Sequence, residues 1–459
     1  MGRHRELQLL TDAYEGGGSA FIPIYGRRRI GKSELILRFM RDAPGLYFLG
    51  KTAPAALQLR ELMREASRAL GEPLLAEVTP GGWKEALELI VERAPRDRKL
   101  VLALDEFQWM AQASPELPSV LQELWDRKWK RSGKVVLILC GSFIGFMERE
   151  VLGRASPLFG RRTGQILLGP LSHLEAAEFH PRWSLQDRAR AFFVCGGVPL
   201  YLEMFQASRS FEQNVEHAIL DEHSPLFREP DFLLREELRE VESYYAVLLA
   251  LATGTAVHKD LAARTQIAER SLGYYLKQLE GLGYVERRYP LTGTKPTARS
   301  VRYGVADPLL RFWFRFVFPN LTFIQQQGPS RTFRELIRPQ LDAYFGLCFE
   351  GLCRQALPYI YRRERVSAAY EVGQYWDRHA QIDLVGLRDD GVTDLGECKW
   401  GASGGKKALT AELMAKLAAY PNRRGATLVA RAFVRKRPAR ATSDDRLRWH
   451  DLDDLYAKP

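Results

Sequence analysis

The most constraining feature of the chain is an apolar strand pattern that runs directly into a glycine-rich loop. After residues 21–25 comes a run that matches G-x-x-x-x-G-K-S and consists of Gly26, Arg27, Arg28, Arg29, Ile30, Gly31, Lys32 and Ser33. In such a P-loop, main-chain N–H groups surround a phosphate, the lysine reaches the outer phosphates and the serine hydroxyl binds Mg²⁺. We therefore predict that residues 26–33 bind ATP and Mg²⁺, with a glycine-rich turn as the alternative.

A second strand pattern ends on the acids that a P-loop site requires. Residues 99–104 are almost entirely apolar and lead to Asp105 and Glu106. P-loop NTPases hold Mg²⁺ with an acid at the end of another strand, so we expect Asp105 to hold the metal and Glu106 to polarise the attacking water. Taken alone, the pair is equally well explained as an ordinary strand end. A third strand pattern, residues 135–140, leads to Ser142, which we expect to contact the γ-phosphate; a serine that simply starts a turn is the alternative.

Two later positions are further candidates for nucleotide contact. Arg161 follows the third strand, where a fixed cation complements the charge of a γ-phosphate; a solvated surface arginine is the alternative. Beyond residue 172 the strand patterns stop, and three helical patterns indicate a small helical lid. The predicted lid contains a Gly-x-Pro turn that ends at Pro199. In one interpretation, this turn brings the main chain of the lid close to the nucleotide. In the other interpretation, Pro199 simply occupies the first turn of a helix.

Charge and cysteine usage indicate the partner and the compartment. The chain has 459 residues, a formal net charge of +11 and 46% hydrophobic residues, so we expect two to four domains and a polyanionic partner, most commonly nucleic acid. Its 5 cysteines are scattered without C-x-x-C spacing, which indicates a reducing environment and neither a disulfide framework nor a zinc site. The chain opens without a signal-peptide pattern, and the longest apolar stretch is too short for a bilayer, so we expect a cytoplasmic protein without membrane contact.

The segment around residues 244–305 has the element order of a winged helix. Helical patterns over 244–252, from 258 and over 269–282 precede two strand patterns around the loop 291–298. In a helix-turn-helix, the last helix enters the major groove while a wing contacts phosphates. The basic residues expected to contact nucleic acid are Arg270, Lys277, Arg287, Arg288 and Lys295. A lid or a dimerisation module is the alternative, since glutamates of the same segment dilute the positive charge.

We interpret the polar run 325–330 as a linker, and we expect a new domain to begin after it. A helical pattern over 341–357 carries Glu350, and strand patterns over 381–387 and 393–400 are joined by an Asp-Asp-Gly turn.

The acids of this hairpin predict a metal site. Asp383 and Glu397 lie on neighbouring strands and, together with Glu350, supply the carboxylate oxygens that Mg²⁺ prefers. Lys399 is placed to position or deprotonate an attacking water. Because Asp383 stands in an apolar Ile-Asp-Leu-Val context, its carboxylate needs a partner or a metal. A salt bridge between Lys399 and one of the acids is the structural alternative.

The whole chain resembles the archaeal-type P-loop ATPases, also present in bacteria, which are grouped near the AAA+ and STAND NTPases. Members carry a winged helix and a restriction-endonuclease-like C-terminal domain. The resemblance is carried by residues 2–7, 26–33, 105–106, 141–142, 157–161, 197–200, 307–314 and 396–400. It implies that Pro199 belongs to a STAND-type Gly-x-Pro motif, whose helical lid senses the nucleotide. It also implies that Asp383, Glu397 and Lys399 correspond to the catalytic residues of PD-(D/E)xK nucleases, although no proline precedes Asp383.

These observations predict an α/β chain of four parts. They are a P-loop ATPase domain with a parallel sheet (1–170), a helical lid (171–235), a winged-helix domain (236–320) and a restriction-endonuclease-like α/β domain (321–459). The predicted function is an ATP-hydrolysing switch coupled to binding, and Mg²⁺-dependent cleavage, of double-stranded DNA. The alternative is a nucleotide-gated regulatory protein whose C-terminal domain binds without cleaving. A homo-oligomer or a protein partner is left open.

Overall fold

The computed structural model describes residues 2–294, 300–401, 405–438, 441, 443 and 447–458. They divide into two compact units, residues 1–170 and residues 171–459. The predicted divisions after residues 235 and 320 fall inside the second unit. Of the helices that these residues form, none has the length and apolar character that crossing a bilayer requires.

The first unit is built on a parallel sheet with the strand order β2-β3-β4-β1-β5. Its strands are β1 (Ala20–Tyr25), β2 (Gly45–Leu49), β3 (Leu100–Asp105), β4 (Val135–Gly141) and β5 (Ile166–Leu167). Every residue of β1, β3 and β4 is buried, because helices cover both faces. In β3, for example, Leu102 and Leu104 pack into one apolar core and Val101 into the core on the opposite face.

The helices of the first unit supply these two apolar cores. In α3, Leu59, Leu62, Met63 and Ala66 are buried at the i, i+3, i+4, i+7 spacing of an amphipathic helix. The helices are α1 (His4–Glu15), α2 (Lys32–Phe39), α3 (Ala55–Leu70), α4 (Trp83–Glu92), α5 (Phe107–Ala113), α6 (Leu117–Leu124), α7 (Lys130–Ser132) and α8 (Ile144–Phe146). Shorter 3₁₀- or π-helical turns cover Pro73–Glu77, Trp125–Trp129 and Met147–Val151.

The sheet brings the predicted nucleotide motifs to one edge. Tyr25, the last residue of β1, pairs with Gly141 at the end of β4, and Leu104 of β3 pairs with Leu139 of β4. Because these strands are parallel, their carboxyl ends lie side by side. The loop after β1, the acids after β3 and the serine after β4 therefore converge.

The second unit begins with helices. The predicted lid patterns correspond to α9, α10 and α11, and the following helices extend the same apolar core. The helices up to residue 332 are α9 (His173–Ala177), α10 (Leu185–Cys195), α11 (Pro199–Met204), α12 (Phe211–Val215), α13 (Pro225–Glu237), α14 (Val241–Leu251), α15 (His258–Thr265), α16 (Glu269–Gly281), α17 (Pro308–Phe312), α18 (Leu321–Gln327) and α19 (Pro329–Thr332). Additional 3₁₀- or π-helical turns are Glu216–Leu220, Trp313–Val317, Phe318–Asn320, Phe333–Ile337 and Arg338–Gln340.

The linker predicted at residues 325–330 is wrong. Helix α18 runs through Gln327, and α19 begins at Pro329 after the single helix break at Gly328. Thr332 is completely buried, and its hydroxyl donates to the Gly328 carbonyl at 2.8 Å. Glutamine is a good helix former, so polarity alone did not indicate irregular structure here.

The three helices and the two strands expected between residues 244 and 305 are present. Helices α14, α15 and α16 precede the antiparallel ribbon of β6 (Val285–Arg288) and β7 (Arg302–Val305). The interpretation of this arrangement as a winged helix stays a prediction. Lys295, a predicted wing contact, lies outside the described residues.

The C-terminal part of the second unit contains a mixed sheet in the order β12-β11-β10-β9-β8. Its strands are β8 (Tyr370–Trp376), β9 (Gln381–Arg388), β10 (Val392–Lys399), β11 (Thr427–Val434) and β12 (Leu447–His450). Strand β9 is antiparallel to both of its neighbours, β8 and β10, whereas β10, β11 and β12 are mutually parallel. The helices of this part are α20 (Leu341–Arg363), α21 (Gly405–Ala419) and α22 (Leu452–Tyr456). The predicted hairpin of residues 381–400 is β9 with β10.

A buried ionic cluster ties this sheet to α20. Arg431 of β11 and Asp394 of β10 are both fully buried, and the Arg431 Nε donates to Asp394 Oδ1 at 2.7 Å. The other guanidinium nitrogens of Arg431 reach Glu364 at 2.8 and 2.7 Å. Tyr361 donates to the second oxygen of Asp394 at 2.5 Å. Each buried charge therefore has an opposite charge and hydrogen bonds, as burial of ions requires.

Candidate functional site

The loop after β1 has the backbone that phosphate binding needs. Gly26 and Gly31 have φ values of 149° and 85°, and the second of these starts α2 at Lys32. A Cβ atom at Gly26 would lie 2.3 Å from the Leu168 carbonyl oxygen, so only glycine fits there. The Lys32 ammonium donates to the Arg27 carbonyl at 2.9 Å, and burial lowers its pKa. The loop thus holds a buried cation against one of its own main-chain carbonyls.

Asp105 is joined to this loop by a direct hydrogen bond. The Ser33 hydroxyl donates to Asp105 Oδ2 at 2.5 Å, and the Glu106 N–H donates to Oδ1 at 2.8 Å. The phenol of Tyr47, from the neighbouring strand β2, donates to the same Oδ2 at 2.6 Å. Asp105 is fully buried, so these donors replace the water that a carboxylate otherwise requires. Two oxygen ligands of the kind that Mg²⁺ prefers therefore lie beside the loop.

Glu106 is held by Ser142 and by Gln108, a residue that no sequence motif indicates. Ser142 donates to Glu106 Oε2 at 2.8 Å, and the amide of the fully buried Gln108 donates to the same oxygen. The Gln108 Nε2 also lies 3.2 Å from the Ser142 hydroxyl oxygen. Glu106 has a φ of 50°, a left-handed conformation that costs a non-glycine residue roughly 1 kcal/mol. The strand end therefore fixes the carboxylate next to the predicted γ-phosphate contact.

Arg161 and Pro199 make contacts of their own. The Arg161 guanidinium forms a bidentate ion pair with Asp126, at 3.0 Å from Nε and 2.7 Å from Nη2. Its Nη1 donates to the Pro157 and Phe159 carbonyls. A role at the γ-phosphate stays a prediction, and it requires this guanidinium to leave Asp126. Pro199 is the first residue of α11, in the second unit, and its nucleotide contact also stays a prediction.

The second cluster of predicted residues lies in a cavity of about 440 Å³ in the C-terminal part. Leu384 of β9 pairs with Gly396 of β10, so Asp383 and Glu397 occupy the next position of the ladder. Both are almost fully buried, and α20 contributes Glu350 to the same cavity. Asp383 Oδ2 accepts the Cys398 N–H at 3.1 Å. The structure thus brings the predicted acids of three elements together.

Two lysines hold Glu397. Lys399 donates to Glu397 Oε1 at 2.7 Å and to Glu412 at 3.0 Å. Lys416, which lies on α21 with Glu412, donates to Glu397 Oε2 and lies 3.2 Å from Glu412. Burial, and then the neighbouring carboxylate of Asp383, raise the pKa of Glu397 despite these lysines. Burial, and then Glu350, raise the pKa of Asp383. Glu412 and Lys416 were not predicted from the sequence, and they lie in a helix, α21, that was not predicted either.

A divalent cation would relieve the mutual repulsion of these carboxylates, and in that respect the donor set fits Mg²⁺. Glu350 accepts the amide of Gln374 at 3.2 Å and lies 3.8 Å from Arg354. Within the described ranges, no three His, Cys, Asp or Glu side chains are arranged to hold a metal ion. The proposed metal ligands Glu350, Asp383 and Glu397 therefore stay a prediction. To bind a metal, Glu397 would have to give up its hydrogen bond with Lys399 or with Lys416.

The predicted nucleic-acid contacts occupy two different surroundings. Arg270 and Lys277 are exposed on α16. Arg287 pairs with Glu280 at 3.2 Å, and Arg288, only 15% exposed, pairs with Glu286. The arginines of the β6–β7 ribbon are thus compensated by glutamates, whereas α16 presents its cations to solvent.

Two parts of the chain match models of known protein families. Residues 1–205 match the model of an ATPase domain predominantly from Archaea, and residues 313–410 match DUF234, a family of archaeal and bacterial proteins of unknown function. An uncharacterized protein of Methanocaldococcus jannaschii is 29% identical over 400 residues, which are 87% of this chain and 87% of the relative. The match over residues 1–205 therefore supports the predicted archaeal-type P-loop ATPase domain, and residues 313–410 are similar to DUF234.

Two solved structures are similar to this chain, and the first of them shares its fold over the covered part. The Walker-type ATPase of Pyrococcus abyssi has a TM-score of 0.50 and 19% identity, covering 68% of this chain and 95% of that one. The ORC2 protein of Aeropyrum pernix has a TM-score of 0.42 and 17% identity, covering 71% of this chain and 95% of that one. At these identities the likeness concerns the fold alone.

Proposed function

We propose that the protein is an ATP-binding and ATP-hydrolysing switch that couples nucleotide turnover to DNA binding and to Mg²⁺-dependent DNA cleavage. The observation that carries the nucleotide part is the 2.5 Å hydrogen bond between Ser33 and Asp105, which joins two sequence motifs 72 residues apart. The ATPase-domain match over residues 1–205 supports the same assignment.

Each group of the first unit has a distinct task in hydrolysis. Lys32 exchanges the Arg27 carbonyl for phosphate oxygens, because a buried ammonium gains more from an anion than from a neutral acceptor. Ser33 and Asp105 would hold Mg²⁺, which supplies positive charge to the β- and γ-phosphates. Glu106 accepts a proton from the attacking water. Ser142, which already donates to Glu106, orients that carboxylate toward the phosphate.

The C-terminal cavity supports a second reaction, the hydrolysis of a phosphodiester. Asp383 and Glu397 would hold Mg²⁺, which stabilises charge on the phosphate. Lys399 lies 2.7 Å from Glu397 and provides an ammonium next to the position of an attacking water. Two adjacent carboxylates with raised pKa values and a neighbouring lysine are unusual for a purely structural site.

A second candidate function is DNA binding without cleavage. It is favoured by the lysines on Glu397, since Lys399 and Lys416 between them engage both of its oxygens. In that function the acids and lysines form a stabilising ionic cluster, and ATP controls binding only.

Plasmid integrity and ATP turnover followed in the same tubes separate these functions. We would compare the wild type, Glu397→Ala and Glu335→Ala, with and without DNA, in Mg²⁺ or Mn²⁺. Glu335 is the matched control because it is an acid of the same unit, 39% exposed, in a surface ion pair. DNA-stimulated ATP hydrolysis, with nicking lost only in Glu397→Ala, is the expected result.

Two other outcomes are informative. Hydrolysis with intact plasmid in all three proteins would favour binding without cleavage. No ATP hydrolysis by the wild type under any condition would contradict the proposal as a whole.

A further inference from the structure

The β6–β7 ribbon lies against the edge strand of the C-terminal sheet. The Leu291 N–H donates to the Gln374 carbonyl at 2.7 Å, and Pro290 forms an isolated bridge with the same residue of β8. The indole N–H of Trp376 donates to the Ser300 carbonyl at 3.1 Å. The ribbon is therefore bonded to the sheet that carries Asp383 and Glu397, and it does not project as a free wing.

This docking places two arginines at the border of the acidic cavity. A smaller cavity of about 50 Å³ is lined by Arg288 and Arg302 of the ribbon together with Gln374 and Trp376 of β8. It shares Leu347, Glu350 and Gln381 with the larger cavity. The two cavities are thus neighbours along one cleft, with the ribbon as one wall.

Arg302 differs from Arg288 in how its charge is compensated. Arg288 is neutralised by Glu286. The Arg302 guanidinium instead lies 4.7 Å from the centre of the Trp376 ring and donates to the Gln381 amide oxygen at 3.3 Å. Among the described residues, no carboxylate forms an ion pair with Arg302. Burial lowers its pKa, the direction expected for a cation that has lost water without gaining an anion.

Such a cation would favour entry of a phosphodiester into the acidic cavity. Its lining includes four carboxylates, which belong to Glu350, Asp383, Glu397 and Glu412, against the ammonium groups of Lys399 and Lys416. When these four carboxylates are ionised and no metal is bound, a phosphate approaching this lining meets net repulsion. A planar, uncompensated guanidinium fixed on an aromatic ring can offset it, because arginine binds phosphate oxygens with two parallel N–H groups.

We propose that Arg302 is a DNA-binding residue of the C-terminal site, which grips the backbone phosphate next to the phosphodiester held in the acidic cavity. This inference rests on the proposed function of that cavity. It makes the site composite, since the ribbon supplies the phosphate contact and β9 and β10 supply the acids. Trp376 positions the guanidinium, so the cation is preorganised rather than drawn from solvent.

The test is DNA binding by the full-length protein, with a fluorescent duplex and anisotropy as the readout. All proteins carry Glu397→Gln, so that DNA stays intact in Mg²⁺. The Arg302→Gln change is compared with Arg331→Gln, which removes the same charge from an exposed surface ion pair. We expect Arg302→Gln to weaken binding about tenfold and to reduce the slope of log K against log salt by about 1. Arg331→Gln should do neither.

Arg302→Lys guards against a change that acts through folding. A lysine keeps the positive charge but loses the paired N–H groups of the guanidinium. The Arg302→Lys protein should therefore keep the salt slope while binding DNA more weakly. Equal affinity and salt slope in Arg302→Gln and Arg331→Gln, with a parent protein that binds DNA and a wild type that cleaves it, would overturn this inference alone. A wild type that neither binds nor cleaves DNA would overturn the proposed function of the cavity together with it.

Discussion

Replacing His450 with glutamine should remove a large part of the pH dependence of the stability of the C-terminal sheet. His450 is buried at the end of β12, where its Nε2 lies 3.0 Å from Arg431 Nη1 and its ring stacks on Phe433 at 4.9 Å. A guanidinium can only donate, so Nε2 accepts and carries no proton. Burial, and then the charge of Arg431, lower the pKa of His450 to about 3.

The magnitude follows from this pKa and from the ordinary value of about 6.5 in the unfolded chain. Below pH 6.5 the unfolded state binds a proton that the folded state does not bind. The stabilisation is therefore complete above about pH 6.5 and is lost as the pH falls toward the folded pKa. At pH 5.0 the loss is about 2 kcal/mol, since each of the roughly 1.5 pH units is worth about 1.4 kcal/mol. A folded pKa about one unit higher changes this result by only about 0.1 kcal/mol.

Amide hydrogen exchange is the suitable assay, because it reports the local free energy of opening in a chain of two units. We would follow the amides of β11 and β12 at pH 7.5 and 5.0, corrected for the intrinsic rates. Glutamine keeps an acceptor for Arg431 and does not titrate. The opening free energy of the wild type should fall about 2 kcal/mol further than that of the variant. Equal falls would refute the reasoning, and the amides of β1 are the internal control.

Three predictions concern the two sites. Lys32→Ala should weaken ATP binding at least about 100-fold, because the buried cation contacts phosphate directly; titration with a fluorescent nucleotide measures it, and wild-type affinity would contradict it. Tyr47→Phe removes a side-chain donor to Asp105 Oδ2, to which Ser33 also donates. It should lower kcat for ATP hydrolysis about tenfold, because a hydrogen bond to a charged group contributes about 1.5 kcal/mol. An unchanged kcat would show that the phenol does not position the acid. Asp383→Ala should abolish plasmid nicking with ATP turnover unchanged, whereas chelation by EDTA should stop both, and nicking that survives either treatment would place the cleavage site elsewhere.

The nucleotide site could be predicted because its information is local. Residues 26–33 specify their own backbone through two glycines, and a strand that ends on Asp105 is visible without tertiary knowledge. Tyr47 and Gln108 were missed for the opposite reason. A tyrosine within β2 and a glutamine in α5 carry no sign of their partners, which arise only when parallel strands place Asp105 and Ser142 beside them.

The C-terminal cavity shows the same division. Asp383 and Glu397 could be paired in advance because a tight turn between two strand patterns fixes the register. Glu412 and Lys416 lie on α21, whose buried residues are Leu409 and Leu413, too few to give an apolar face that the sequence reveals. The position of Arg302 could not be foreseen either, since it depends on the ribbon docking to β8.

The most direct test of the central claim is ATP binding and hydrolysis by full-length Glu106→Gln beside the wild type. The substitution keeps the size of the side chain and removes its capacity to accept a proton from water. We predict wild-type affinity for ATP with hydrolysis slower by about 100-fold or more. Undiminished hydrolysis by the variant, or no ATP binding by the wild type, would contradict the account.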